Sequence, residues 1–261
     1  MALWDLNRST ADAMPRRVCQ LTDAHRTGIW ALHELNGQLV TASKDKHAAH
    51  SVLSDSRLSV VRRYEMGDFG QLQTCRWRDE NVFACAGGSP ELGLVDVRAR
   101  HVSRIPCGPD GTIVTTVRWS PSDAHLLLAS GSDSAMRLFD VRSPSVPLME
   151  LKGHSRKSNE KARKIYKPSF SHGGRAVSAV GHGSNKLSVF ALDEGGRRAS
   201  EGKLLENVGS GGGASSSSSS AARDVLETGC TLQAVNMGGA VGEVLVLAHG
   251  LRVEAYVPRK V

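Results

Sequence analysis

Short apolar runs recur along this chain, each bounded by Gly, Ser, Asp or Pro. Within a run the apolar positions alternate with polar ones, the two-residue period of a half-buried β-strand. One run type ends in a bulky residue, often followed by Asp. It occurs as ALWDL (Ala2–Leu6), LGLVDVR (Leu92–Arg98), MRLFDVR (Met136–Arg142), LSVFAL (Leu187–Leu192) and VEAYV (Val253–Val257), with a degraded copy, HAAHSV, at His47–Val52.

The landmark positions are Trp4, Ser51, Val95, Phe139, Phe190 and Tyr256, separated by 47, 44, 44, 51 and 66 residues. Two further apolar runs precede each complete copy: GIWAL and QLVTAS, LQTCRW and NVFACAG, TIVTTVRW and HLLLASG, KIYKPSF and AVSAVG, TLQAVNM and EVLVLAHG. Three runs plus a connecting fourth, repeating every 40–45 residues or so, is the unit of a β-propeller blade. The two longer intervals contain insertions. Gly209–Ser220, GSGGGASSSSSS, reads as a flexible linker loop, and Ser155–Lys167, SRKSNEKARKIYK, as a basic loop.

Several stretches resemble the WD-repeat family. TASKDKHAAHSV at Thr41–Val52 aligns without gaps on the family's Thr-Gly-Ser-x-Asp-x-x-x-x-x-Trp-Asp segment. LLLASGSDSAMRLFDVR at Leu126–Arg142 is close to the consensus, Gly153-His154 is the Gly-His dipeptide, and Trp4-Asp5 is the name-giving pair. The resemblance implies one all-β propeller over residues 1–261, with the inner strands of five blades plus the tail of a sixth. Because the runs begin at a third strand and end just after another, a ring incomplete between the first and last blades, or irregularly closed, is expected.

The family stabilises each blade with a buried relay of His, Ser/Thr, Asp and Trp, because buried polar groups persist only when paired. His25, Ser43 and Asp45 supply three quarters of one such relay, with Ser51 in place of Trp. Asp133 begins another, with Phe139 at the Trp position and no His near Cys107-Gly108.

The chain's 33 Lys+Arg against 26 Asp+Glu give +7, and the insertion's Arg156, Lys157, Lys161, Arg163, Lys164 and Lys167 against Glu160 supply +5 of it. Such a loop fits phosphates or an acidic partner, with strong salt dependence. Five irregularly spaced cysteines read as reduced thiols in a cytosolic or nuclear protein. The start carries no secretory signal, and Ala240–Leu251 is too short to span a bilayer, so no membrane partner is expected. No metal spacing, nucleophile motif or phosphate loop is found: Gly195–Leu205 has the wrong spacing and Leu204 where Ser/Thr must bind magnesium. Neither catalysis, a cofactor nor a small-molecule substrate is expected.

Asp-Val-Arg recurs at Asp96–Arg98 and Asp140–Arg142. It is similar to the end of the Trp-Asp-x-Arg box of WD-repeat substrate receptors of cullin-RING ubiquitin ligases, which implies that Arg98 and Arg142 dock on the ligase adaptor. Arginine suits such docking, since its planar fork holds two acceptors while its stem packs on apolar surface. The function expected is therefore a non-catalytic, nuclear or cytoplasmic scaffold meeting proteins through its propeller faces, with a ubiquitin-ligase receptor as the specific form. The alternative is a chromatin- or RNA-associated scaffold using the basic loop.

Overall fold

The computed structural model describes residues 2–5, 16–55, 57–99, 101–133, 135–152, 167–180, 186–193, 203–206, 231–236, 243–249 and 252–256. Among these the only helical segments are two three-residue 3-10 turns, Gly67–Phe69 and His172–Gly174, so no helix is long enough to cross a membrane. The Gly/Ser segment 209–220, and the basic insertion apart from Lys167, lie outside the described residues. The chain divides into two compact units, Met1–Ile105 and Pro106–Val261.

In the first unit β1 (Ala2–Asp5) pairs antiparallel with β2 (Arg16–Gln20). A four-stranded antiparallel meander follows, β3 (Ile29–Leu35), β4 (Gln38–Ser43), β5 (His47–Ser54) and β6 (Arg57–Glu65). A second is built from β7 (Leu72–Trp77), β8 (Val82–Gly87), β9 (Glu91–Asp96) and β10 (His101–Pro106).

The second unit repeats the plan. Its sheets are β11 (Val114–Trp119), β12 (Leu126–Gly131), β13 (Met136–Asp140) and β14 (Met149–Leu151), then β15 (Ser169–Ser171), β16 (Ala176–Val180), β17 (Lys186–Ala191) and β18 (Lys203–Glu206). A three-stranded sheet closes the series: β19 (Thr231–Asn236), β20 (Glu243–His249) and β21 (Arg252–Tyr256). Ser51, Val95, Phe139, Phe190 and Tyr256 each lie on the third strand of their sheet. These sheets are blades of the WD-repeat type.

Local chemistry sets the hairpins. Asn36 and Gly37 both have positive φ, 49° and 78°, which is the two-residue type I′ turn that matches strand twist and fixes the Leu35–Gln38 register. The first strands of three sheets carry the same irregularity, one unpaired residue between Ile29 and Ala31, between Leu72 and Thr74, and between Val114 and Thr116. Such bulges bend a strand and re-aim the extra side chain. Opposite them stand Ser43, Gly87 and Gly131, and the next residue's amide donates across the strand end: Lys44 N to Gly28 O at 3.0 Å, Gly88 N to Gln71 O at 3.1 Å, Ser132 N to Ile113 O at 2.9 Å. At Gly87 a Cβ would stand 2.0 Å from Gln71 O, so this close approach requires glycine.

Each unit has its own apolar core. In the first, Val40, Ala42 and Ala48 face Leu72, Cys75, Trp77, Phe83 and Val95. Edge-to-face contacts of Trp77 with Phe83 (5.0 Å between centroids) and of Tyr64 with Phe83 (5.5 Å) hold the aromatic centre. In the second, Leu126, Leu128, Met136 and Leu138 pack with Phe170, Val177 and Phe190. A fully buried side chain of this size contributes about 1.5–3 kcal/mol. Cys75 and Cys85 face each other across β7 and β8; both are buried and reduced, and burial pushes the Cys75 thiol up to about 12.

Candidate functional site

The polar centre of the first four-stranded sheet is built on Asp45, in the turn between β4 and β5. Its carboxylate accepts from His47 N at 3.0 Å and from Arg26 N at 2.9 Å, tying the loop before β3 to the turn. His25, from that same loop, places Nδ1 3.2 Å from each carboxylate oxygen and Nε2 2.7 Å from Thr41 Oγ1 on β4. Thr41 Oγ1 in turn lies 3.3 Å from Ala49 O. Ser51 stands where the family has tryptophan, and its hydroxyl is buried without a hydrogen-bond partner.

The hydroxyl on the imidazole is therefore that of Thr41. Ser43, the residue that the sequence reading put in the relay, donates to Gly28 O at 2.9 Å and accepts Asp45 N at 3.1 Å, which fixes the turn. Burial dominates at His25 and holds its pKa below 6.5, although the Asp45 carboxylate pulls the other way. Burial also works against the Asp45 charge, but the amides of Arg26 and His47 and the His25 ring outweigh it, leaving its pKa lowered.

Asp133 has a different partner. Its Oδ2 accepts from Arg137 Nη2 at 2.6 Å, and Arg137 Nε reaches Glu150 Oε1 at 2.9 Å. Arg137 is only 9 % exposed, so one buried guanidinium holds the turn before β13 to β14. Arg137 and Thr41 both escaped the sequence reading. The signal for Arg137 was a cation inside an otherwise apolar strand, four residues after an aspartate; for Thr41 it was the first residue of the family-like segment.

The two Asp-Val-Arg copies share one geometry. Asp96 Oδ1 accepts Arg98 N at 2.9 Å, and the Arg98 guanidinium folds back as a fork, Nε to Oδ1 at 3.0 Å and Nη2 to Oδ2 at 2.8 Å. Asp140 and Arg142 repeat it at 3.0, 2.9 and 2.7 Å. Hydrogen bonds from the arginine hold the Asp96 carboxyl far below the usual range and bring Asp140 down to about 2. Both arginines remain exposed, each with its Nε–Nη2 edge on its own aspartate. Of the six cations singled out in the basic insertion only Lys167 falls among the described residues, and it is exposed.

A 44-residue blade spacing and a His-Asp-Thr relay are features of a WD-repeat propeller fold. Similarity to particular proteins is narrower. The chain is 30% identical over 157 residues to the "Ribosome biogenesis protein WDR12 homolog" of Ixodes scapularis, covering 59% of this chain and 34% of that protein. The proteins of the same name from Anopheles gambiae (34% over 74 residues, 28% of this chain, 17% of that protein) and Drosophila mojavensis (28% over 147 residues, 55% and 33%) are also similar. The chain thus matches about a third or less of the length of these curated relatives. No protein-family model matches it.

Proposed function

We propose that this chain is a non-catalytic WD-repeat scaffold of ribosome biogenesis, working in the nucleus on RNA-containing assemblies and meeting other proteins through its blades. The similarity over 157 residues to a protein named for ribosome biogenesis carries this reading. Rigid sheets with exposed loops suit a platform, while the fold by itself does not choose the partner. In this reading Arg156, Lys157, Lys161, Arg163, Lys164 and Lys167 contact RNA phosphates. The ubiquitin-ligase reading of Arg98 and Arg142 has no support among these relatives.

The test is sedimentation of the tagged chain from cell extract. Co-sedimentation with precursor ribosomal RNA, lost after ribonuclease treatment, is the expected result. A chain that stays at the top of the gradient and captures no precursor RNA overturns the proposal.

A further inference from the structure

Trp30 is the unpaired residue of the bulge in β3, between Ile29, which faces Ser43, and Ala31, which faces Ala42. The bulge turns its indole outward, where it is 50% exposed between Ile29 and Leu32, themselves exposed at 36% and 45%. The equivalent bulge residues of the next two sheets are Gln73 and Thr115, so an aromatic here is no requirement of the bulge.

The indole lies back over Gly28, with Nε1 3.7 Å from the point where a Cβ on Gly28 would stand. The Gly28 carbonyl accepts Lys44 N at 3.0 Å, so the ring borders the loop and turn that Asp45 ties together. That loop and turn project three exposed cations, Arg26, Lys44 and Lys46. Among the described residues no carboxylate pairs with any of them. Asp45 keeps its oxygens turned inward on His25, Arg26 N and His47 N, and the exposed Asp23 and Glu65 form no ion pair with the three cations.

An exposed indole beside unpaired cations on a fixed frame is the arrangement that single-stranded nucleic acid recognises, a base on the ring and phosphates on the charges. We infer that Trp30, Arg26, Lys44 and Lys46 form a binding surface for single-stranded RNA. Trp30 stacks on a base, and the cations hold the flanking phosphates. A duplex keeps its bases stacked inside and engages only the cations. The surface is distinct from the basic insertion, and it rests on the ribosome-biogenesis reading only for the choice of RNA as ligand.

The test is titration of the full chain with a labelled single-stranded oligoribonucleotide of about ten nucleotides. Binding should quench tryptophan fluorescence, and a duplex of the same sequence should bind more weakly. Trp30→Ala should weaken single-strand binding by about tenfold, while Trp30→Phe keeps most of it. The pair Lys44→Glu and Lys46→Glu should weaken binding and flatten its salt dependence. A variant with the six cations of Ser155–Lys167 changed to Gln should keep the Trp30-dependent part. Thermal melts matching wild type establish that the variants fold.

Absence of oligoribonucleotide binding, or binding unchanged in the Trp30→Ala and lysine variants, overturns the surface. So does equal competition by polyglutamate, which points to an acidic protein instead. The scaffold reading fails separately. A chain that binds the oligonucleotide through Trp30 yet captures no precursor ribosomal RNA overturns that reading alone; one that captures the precursor without binding the oligonucleotide overturns this surface alone.

Discussion

His25 and Asp45 stand 20 residues apart in sequence, and the imidazole Nδ1 lies 3.2 Å from both carboxylate oxygens. This contact fixes the tautomer of the neutral ring. With neutral His25 the Nδ1–H donates to Asp45 and Nε2 accepts the Thr41 hydroxyl. With charged His25 the Nε2–H donates to Thr41, whose hydroxyl proton can turn to Ala49 O, 3.3 Å away. Each protonation state has a complete set of partners, which explains how the relay works without a terminal tryptophan.

Removing the anchor should be costly. Asp45→Ala leaves the amides of Arg26 and His47 and the His25 ring without their acceptor, at a site where the Asp45 side chain is 6% exposed. A loss of about 2–4 kcal/mol is expected in urea unfolding. Thr41→Val should cost roughly 1–2 kcal/mol, because it strands one imidazole nitrogen. Asp45→Ala combined with His25→Ala should cost clearly less than the two single losses added together, the mark of one shared network.

Stability should rise with pH across the histidine range. Burial lowers the pKa of both His25 and His50 below 6.5. The unfolded chain therefore takes up protons first as pH falls through 6.5, and stability declines until the lower folded values are reached. His25 has Asp45 opposing this trend and Arg63 and His47 reinforcing it, whereas His50 packs its ring on Trp77 at 5.1 Å and its Nε2 is buried without a partner. His50→Gln should flatten the slope in urea unfolding series on either side of 6.5. An unchanged slope would show that His50 carries none of the effect.

Much of this was legible in the sequence, because strand alternation is set by residues a few positions apart and the blade period shows as like runs recurring along the chain. The spacing of Ser51, Val95 and Phe139 is such a repeat, 44 residues each time. The relay was less legible. Thr41 and Ser43 alternate onto the same face of β4, and the sequence does not say which of the two hydroxyls, 16 or 18 residues after His25, meets its ring. Arg137 was hidden for another reason: a cation on a strand reads as solvent-facing until the carboxylates of Asp133 and Glu150 are seen to meet it. The exposed Trp30 depends on a bulge, which in the sequence shows only as an unbroken apolar run, Ile29–Leu32, that does not say which residue is left over.

The Asp-x-Arg forks make an acid-range prediction. The folded pKa of Asp140 is about 2 against an ordinary 3.8, so the carboxylate's contribution is present above 3.8 and disappears as pH falls through the folded value. Arg142→Ala should return the Asp140 titration, followed by carboxyl NMR, most of the way toward 3.8. The backbone amide of residue 142 still donates and keeps a remainder of the shift. An Asp140 titration unaffected by Arg142→Ala would mean that the fork does not persist in solution.

Asp133 and Arg137 should respond to substitution as a pair. Arg137→Leu removes the Nη2 donor on Asp133 Oδ2 while Oδ1 is already buried without a partner, so an aspartate 16% exposed loses its counter-charge. A cost of roughly 3–5 kcal/mol is expected for breaking such a pair from one side. Asp133→Asn made together with Arg137→Leu removes both charges. The strand then gains an apolar side chain on the face it shares with Phe139, which is fully buried. The double variant should therefore be more stable than Arg137→Leu alone, by about 1–3 kcal/mol in urea unfolding. If the double variant is the weaker of the two, the guanidinium contributes mainly through Glu150, and Glu150→Gln should then reproduce the loss.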